Sequence, residues 1–131
     1  MVYYVGIILT SSEGKFLIQL RDNNPKITNP GKWGLFGGSS EDQETPQEAI
    51  IREIEEELGI KLESLKLKEI YSKDPNFLFF YELNDGEEKR LKLMEGQKIG
   101  KFTIKEILDL PNLAPGGTRE AFLNIDNLIK L

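Results

Sequence analysis

A mixed β-sheet covered by helices on two sides is the fold this chain predicts, and three observations carry that reading. Residues Pro46 to Leu58 have every local mark of an amphipathic helix, strand-like segments lie both before and after them, and a second segment with one apolar helical face closes the chain. A helix with strands on either side covers a sheet that continues beyond it. The closing helix is then available for the opposite face.

The elements follow in order. Tyr3 to Thr10 and Lys15 to Arg21 are apolar and rich in β-formers, and Ser11-Ser12-Glu13-Gly14 between them offers a hairpin turn with glycine at the left-handed position, so the two should pair antiparallel. Asp22 to Lys32, with Pro25, Pro30 and Gly31, reads as an irregular loop leading into the apolar run Trp33 to Phe36, after which Gly37 to Glu44 reads as a glycine-bearing loop. Thr45 is the expected N-cap of the central helix, Pro46 its first residue and Glu48 its third. That is a T-x-x-E capping box with proline where its missing N–H does no harm. Gly59 supplies the left-handed stop. Leu65 to Tyr71 and the aromatic-rich Asn76 to Leu83 are strand candidates joined through Lys73-Asp74-Pro75, and Asn84-Asp85-Gly86 is a further turn signal before the short alternation Leu91-Lys92-Leu93. Thr103 to Glu106 repeats the capping-box spacing and opens a short helix that ends before Pro111. Thr118 is the expected cap of a last helix with Ala121, Phe122, Ile125, Leu128 and Ile129 on one face.

Composition narrows the chemistry. A chain of 131 residues, 39% apolar and 30% charged, fits a single globular domain over residues 1–131. No apolar run reaches the length of a membrane span, and the start MVYYVGIILTSSEG lacks the basic region of a signal peptide, so the cytoplasm is the expected location. With neither Cys nor His, the chain has no thiolate nucleophile, imidazole base or nitrogen/sulfur zinc site. Any metal must be held by oxygen ligands, which favours Mg²⁺ and then Mn²⁺. A net charge of −5 argues against a nonspecific grip on nucleic acid but leaves a small nucleotide open, because a metal can offset the local charge.

Four glutamates, Glu53, Glu55, Glu56 and Glu57, fall within five consecutive positions of the central helix. At about 100° per residue, with Glu53 at zero, Glu57 lies near +40° and Glu56 near −60°, while Glu55 faces away. Ile50, Ile54, Leu58 and Ile51 fall between roughly +60° and +160°, an apolar stripe suited to a sheet, so the three carboxylates border the core. Anions at such a border are costly unless neutralised, which points to a bound cation. Arg52, at about −100°, can reach Glu56 or Glu48, either to hold the carboxylates in place or as a surface ion pair of little energetic weight.

Gly38, Glu44, Arg52, Glu53, Ile54, Glu56, Glu57, Gly59 and Ile60 together reproduce the pattern of the Nudix hydrolases, which this chain resembles at every specified position from Gly38 to Ile60. The resemblance implies an α/β/α sandwich and metal-dependent hydrolysis of a pyrophosphate bond in a nucleoside diphosphate derivative. Nucleoside triphosphates are favoured over sugar-linked diphosphates or dinucleotides, and the protein is expected to be a monomer or homodimer. It further implies that Glu53, Glu56 and Glu57 hold the metal and that a backbone carbonyl at Gly37 or Gly38 adds a ligand. Glu44 supports the site through Arg52 or water, and Glu95 in Met94-Glu95-Gly96-Gln97 supplies a loop glutamate, with Glu82, Glu87 and Glu88 as rivals. Arg21, at a strand end, is a candidate for meeting phosphate.

Two departures from the family pattern bear on specificity. Phe36 stands where many relatives have proline before the two glycines. The region Ala114 to Thr118 lacks the asparagine that reads the base in MutT-type members, for which Asn112 is the candidate substitute. Tyr3, Phe77, Phe79 and Tyr81 are candidate stacking rings or core residues. Readings of another class are a nucleotide-sensing module without turnover and a structural domain whose acidic helix docks on a basic partner.

Overall fold

The structure, a computed structural model, describes residues 1–129. Its centre is strand β1 (Tyr4–Thr10), which meets three partners. It pairs antiparallel with β2 (Phe16–Leu20) through Leu9 and Thr10, as the hairpin reading expects, and Gly14 takes the left-handed turn position at φ 79°. Its N-terminal half pairs antiparallel with β4 (Phe36–Ser39), and its other edge pairs in parallel with β6 (Asn76–Glu82) over its whole length. The short β3 (Trp33–Gly34) borders β2, and β5 (Lys68–Lys73) forms a hairpin with β6.

Side-chain alternation on these strands builds two cores. Val5, Ile7 and Leu9 of β1 and Phe79 and Tyr81 of β6 face one way and receive Ala49, Ile50, Ile54 and Leu58 of helix α1 (Pro46–Leu58). Ile8, Ile18 and Phe80 face the other way, against Ile107, Phe122 and Ile125 of the later helices. The sheet is therefore covered on both faces, and α1 has the expected bounds. Its capping box between Thr45 and Glu48 is formed in both directions, and Gly59 stops it at φ 72°.

Several elements differ from the sequence reading. Gly37 and Gly38 lie within β4, paired with Gly6 and Val5, and not in a loop. Leu65 is fully exposed on a 3-10 turn, so β5 starts only at Lys68. Asn84 does not merely turn the chain. It caps helix α2 (Asp85–Lys89), with Glu87 closing the box. Leu91 to Leu93 is not a strand, because Lys92 and Met94 donate their N–H groups to the last carbonyls of α1, those of Leu58 and Glu57.

Strand β7 (Lys98–Phe102) has no counterpart in the reading; it pairs along all of β2, and its charged residues hide its pattern. Helix α3 (Ile104–Leu108) starts at Thr103 as expected. The closing helix is two: α4 (Gly117–Leu123), which begins after Gly116 at φ 74° and not at Thr118, and α5 (Ile125–Leu128). Between them Asn124 turns its side-chain amide onto the Glu120 carbonyl and leaves helical geometry.

Phe102 of β7 meets Trp33 edge to face, with ring centroids 5.2 Å apart, beside Gly100. A Cβ at Gly100 would lie 2.4 Å from one ring and 2.7 Å from the other. Gly100→Ala is therefore expected to destabilise the fold by about 1–3 kcal/mol, read as a lowered midpoint in thermal or urea unfolding.

Candidate active site at the seam of α1 and β4

The acidic face of α1 lies against β4, and glycine makes that contact possible. A Cβ at Gly38 would sit 2.4 Å from the Glu53 carboxyl carbon, and one at Gly37, where φ is 153°, would sit 2.1 Å from the Val5 carbonyl oxygen. The backbone thus comes up to the carboxylates with no side chain between. The Gly37 N–H donates to Glu57 Oε2 at 3.1 Å.

Arg52 organises the exposed side of the cluster. Its Nε and Nη2 grip Glu44 in a bidentate pair at 2.8 and 3.0 Å, its Nη1 donates to Glu53 at 3.1 Å and Glu56 at 3.0 Å, and Nη2 also reaches the Ser39 carbonyl at 2.9 Å. The expected reach to Glu56 is made; Glu48 is instead engaged in capping Thr45. With the Arg52 side chain 22% exposed and Glu44 15% exposed, this is a half-buried network and not a loose surface pair. The Arg52 contact holds the Glu44 carboxyl below its usual range.

Glu57 is held differently. It is 4% exposed, and its partners are the neutral Gln19 amide, at 3.4 Å, and the Gly37 N–H. Burial, together with the charges of Glu53 and Glu95, pushes its carboxyl up to about 8. Burial also raises Glu53, against the opposing pull of Arg52. Glu95 thus adds its charge to the cluster, from a loop tied by Met94 N–H to the Glu57 carbonyl and by Gln97 N–H to the Leu20 carbonyl.

The three carboxylates do border the core, and they have different partners. Arg52 holds Glu53 and Glu56, Gln19 and the Gly37 N–H hold Glu57, and among the described residues no three acidic groups stand in ligating arrangement. The donor set nonetheless suits a hard divalent cation. It is all oxygen, Glu56 is 48% exposed, and Glu57 is a buried acid with no cationic side chain among its hydrogen-bond partners in the described residues.

The remaining candidates separate. Arg21 donates to the Thr28 carbonyl at 2.7 Å and so braces the 22–32 loop. Glu87 is buried on the Tyr81 hydroxyl, Lys66 and the Asn84 N–H, Glu88 pairs with Lys101, and Glu82 is exposed; none of these three contacts the α1 carboxylates. Asn112 donates its side-chain amide to the Gly31 carbonyl at 3.2 Å. Phe79 and Tyr81 are core, while Tyr3 packs edge-on against Phe77. Sequence reasoning missed Gln19 altogether. It also missed a cavity of about 910 Å³ beside the start of β1, where Tyr4, Tyr71, Lys73, Phe77, Asn124 and Asn127 come together from three parts of the chain.

A NUDIX domain family model matches residues 2–122. The chain belongs to the Nudix family. Members of this family generally use a divalent metal such as Mg²⁺ and act on small nucleotides. The chain is similar to the nucleoside triphosphatase NudI of Enterobacter sp. (strain 638), 54% identical over 39 residues that make up 30% of this chain and 28% of that protein. It is also similar to the RNA pyrophosphohydrolase of Ectopseudomonas mendocina (strain ymp), 36% identical over 63 residues, 48% of this chain and 36% of that one. The matches thus span about a third of the length of these relatives. The MutT protein of Methanosarcina mazei Go1 has the same fold, with a TM-score of 0.69 at 24% identity over 99% of this chain and 96% of that one. No helix among the described residues is long and apolar enough to cross a membrane.

The raised Glu57 carboxyl sets a direction of pH dependence. The folded protein keeps its proton up to about 8, whereas the unfolded chain releases it near the ordinary carboxylate value of 4.5. Between those values the native state binds more protons, so stability falls as pH rises. In metal-free protein the unfolding midpoint should drop across this window, and Glu57→Gln should flatten the slope. An equal slope in the variant would show that Glu57 is not its source.

Proposed function

We propose that the chain hydrolyses nucleoside triphosphates to the monophosphate and pyrophosphate, with Glu53, Glu56, Glu57 and a carbonyl at Gly37 or Gly38 holding Mg²⁺, or Mn²⁺ in its place. The observation that carries this is the buried Glu57 carboxyl group, which among the described residues has no cationic hydrogen-bond partner and accepts from the Gly37 N–H of β4. The cation, when bound, would offset phosphate charge and activate water.

The chain's own groups do the rest. Arg52 fixes Glu53 and Glu56 from outside and is itself anchored by Glu44, so the carboxylates keep their orientation while phosphate approaches. Glu57 would hold a cation in its ionised form, and its burial beside the Gln19 amide and the Gly37 N–H keeps its oxygens at the seam of α1 and β4. Glu95 brings a further carboxylate to the same place, and Arg21 is left for phosphate only at the rim.

The cavity beside β1 supports a nucleoside. It offers aromatic rings, side-chain amides and Lys73, and its Gly6 pairs directly with Gly37, one strand from the carboxylates. The similarity to a nucleoside triphosphatase favours triphosphates over sugar-linked diphosphates and dinucleotides. An RNA 5′ end is disfavoured by the net charge of −5.

Phosphate or pyrophosphate release measured across a nucleotide panel with Mg²⁺ tests the reading. Turnover of triphosphates should fall about a hundredfold or more in Glu56→Gln and Glu57→Gln; binding without turnover in the unmodified protein would support a sensor instead. Gly38→Ala should lower kcat by about ten- to a hundredfold, since its methyl group displaces Glu53. Unchanged kcat there would mean that Glu53 does not act.

A further inference from the structure

Gln19 is 3% exposed and belongs to neither the acidic helix nor the glycine strand, yet it touches the parts that bear on both. Its Nε2 donates to the Leu35 carbonyl at 3.2 Å, just ahead of β4, and to Glu57 Oε1 at 3.4 Å. On its other side the chain presses down upon it. A Cβ at Gly96 would lie 2.9 Å from Gln19 Oε1 and 3.1 Å from the Leu20 carbonyl oxygen, and Gly96 has the left-handed φ of 85°. Gly96 follows Glu95 directly, and the next N–H, that of Gln97, donates to Leu20. A buried polar side chain in the middle of a strand is expected to be used, and here its amide N–H groups go to one carboxylate and to the Leu35 carbonyl, while its oxygen lies against Gly96 of the loop that carries another carboxylate.

We propose that Gln19 is a positioning residue that joins the Glu57 carboxylate and the Glu95 loop into one unit. The amide meets no substrate; it acts by fixing where Glu57 Oε1 points and how closely Gly96, and with it Glu95, approaches α1. An apolar side chain of the same length would fill the space and leave Glu57 held by the Gly37 N–H alone. This rests on the carboxylate cluster being the reacting centre, as proposed above.

The test compares Gln19→Met with Ile18→Val, which perturbs the same strand on its opposite face. In metal-free protein, the amide resonances of Gly37 and Gly96 should move in Gln19→Met and stay in place in Ile18→Val, because only the former changes what Glu57 and Gly96 rest on. In the Mg²⁺-loaded enzyme, kcat should fall about tenfold in Gln19→Met with KM within about twofold, while Ile18→Val keeps both values. Unmoved Gly37 and Gly96 resonances, or an unchanged kcat, would overturn the proposal, as would an equal loss in Ile18→Val. Should Gln19→Met fail to fold, Gly96→Ala supplies the same comparison from the loop side, with the Gly37 resonance again required to move. If the unmodified protein turns over no nucleotide, the function proposed above has failed, and the resonances still report whether Gln19 couples the two segments.

Discussion

Anions crowded at the edge of an apolar core repel one another, and the site is arranged around how that repulsion is offset. Arg52 offsets part of the charge of the outer cluster by binding Glu44, Glu53 and Glu56 at once, and it remains partly wet, so the solvation cost is moderate. Among the described residues the inner part has no such counter-charge. Glu57 there meets amide dipoles, those of Gln19 and Gly37, and burial raises its carboxyl. The two halves of the cluster therefore differ in kind. One is a partly compensated network that fixes orientation, and the other is an acid whose charge depends on what else is present.

That division requires backbone, not side chains, to line the inner half. The β4 glycines let a strand approach carboxylates that any larger residue would push aside, and the pairing of Gly37 with Gly6 carries this approach into the centre of the sheet. The cavity on the other side of that pairing shares the same backbone floor. Sheet geometry thus sets the distance between the place suited to a nucleoside and the place suited to its phosphates.

Helix α1 was legible almost residue by residue because everything that specifies it is local: the reciprocal cap at Thr45 and Glu48, proline at the first position, glycine at the stop and an apolar stripe of helical period. The same locality exposed Glu53, Glu56 and Glu57 as a face, and Glu44 and Arg52 came with the family pattern. What escaped is nonlocal. Strand β7 carries lysines and a glycine where alternation would announce it, and only its partner β2 makes it a strand. Asn84 was read as a turn because it precedes Asp85 and Gly86, although Glu87 completes a cap that the same rule would have found. Gln19 is one polar residue in an apolar run, with no signal in sequence that its amide meets residues 35, 57 and 96.

The parallel ladder between β1 and β6 also governs when the molecule can come into being. Tyr4 lies opposite Asn76 and Thr10 opposite Glu82, so the central strand waits for most of the polypeptide before its longest edge is occupied. During synthesis from the amino end, the apolar run Ile7-Ile8-Leu9 leaves the ribosome well before that neighbour exists. Until then the β1–β2 hairpin, the β4 contact and helix α1 can shelter it, which makes the early glycine-bearing strand a temporary cover for nascent chain as well as a wall of the mature site.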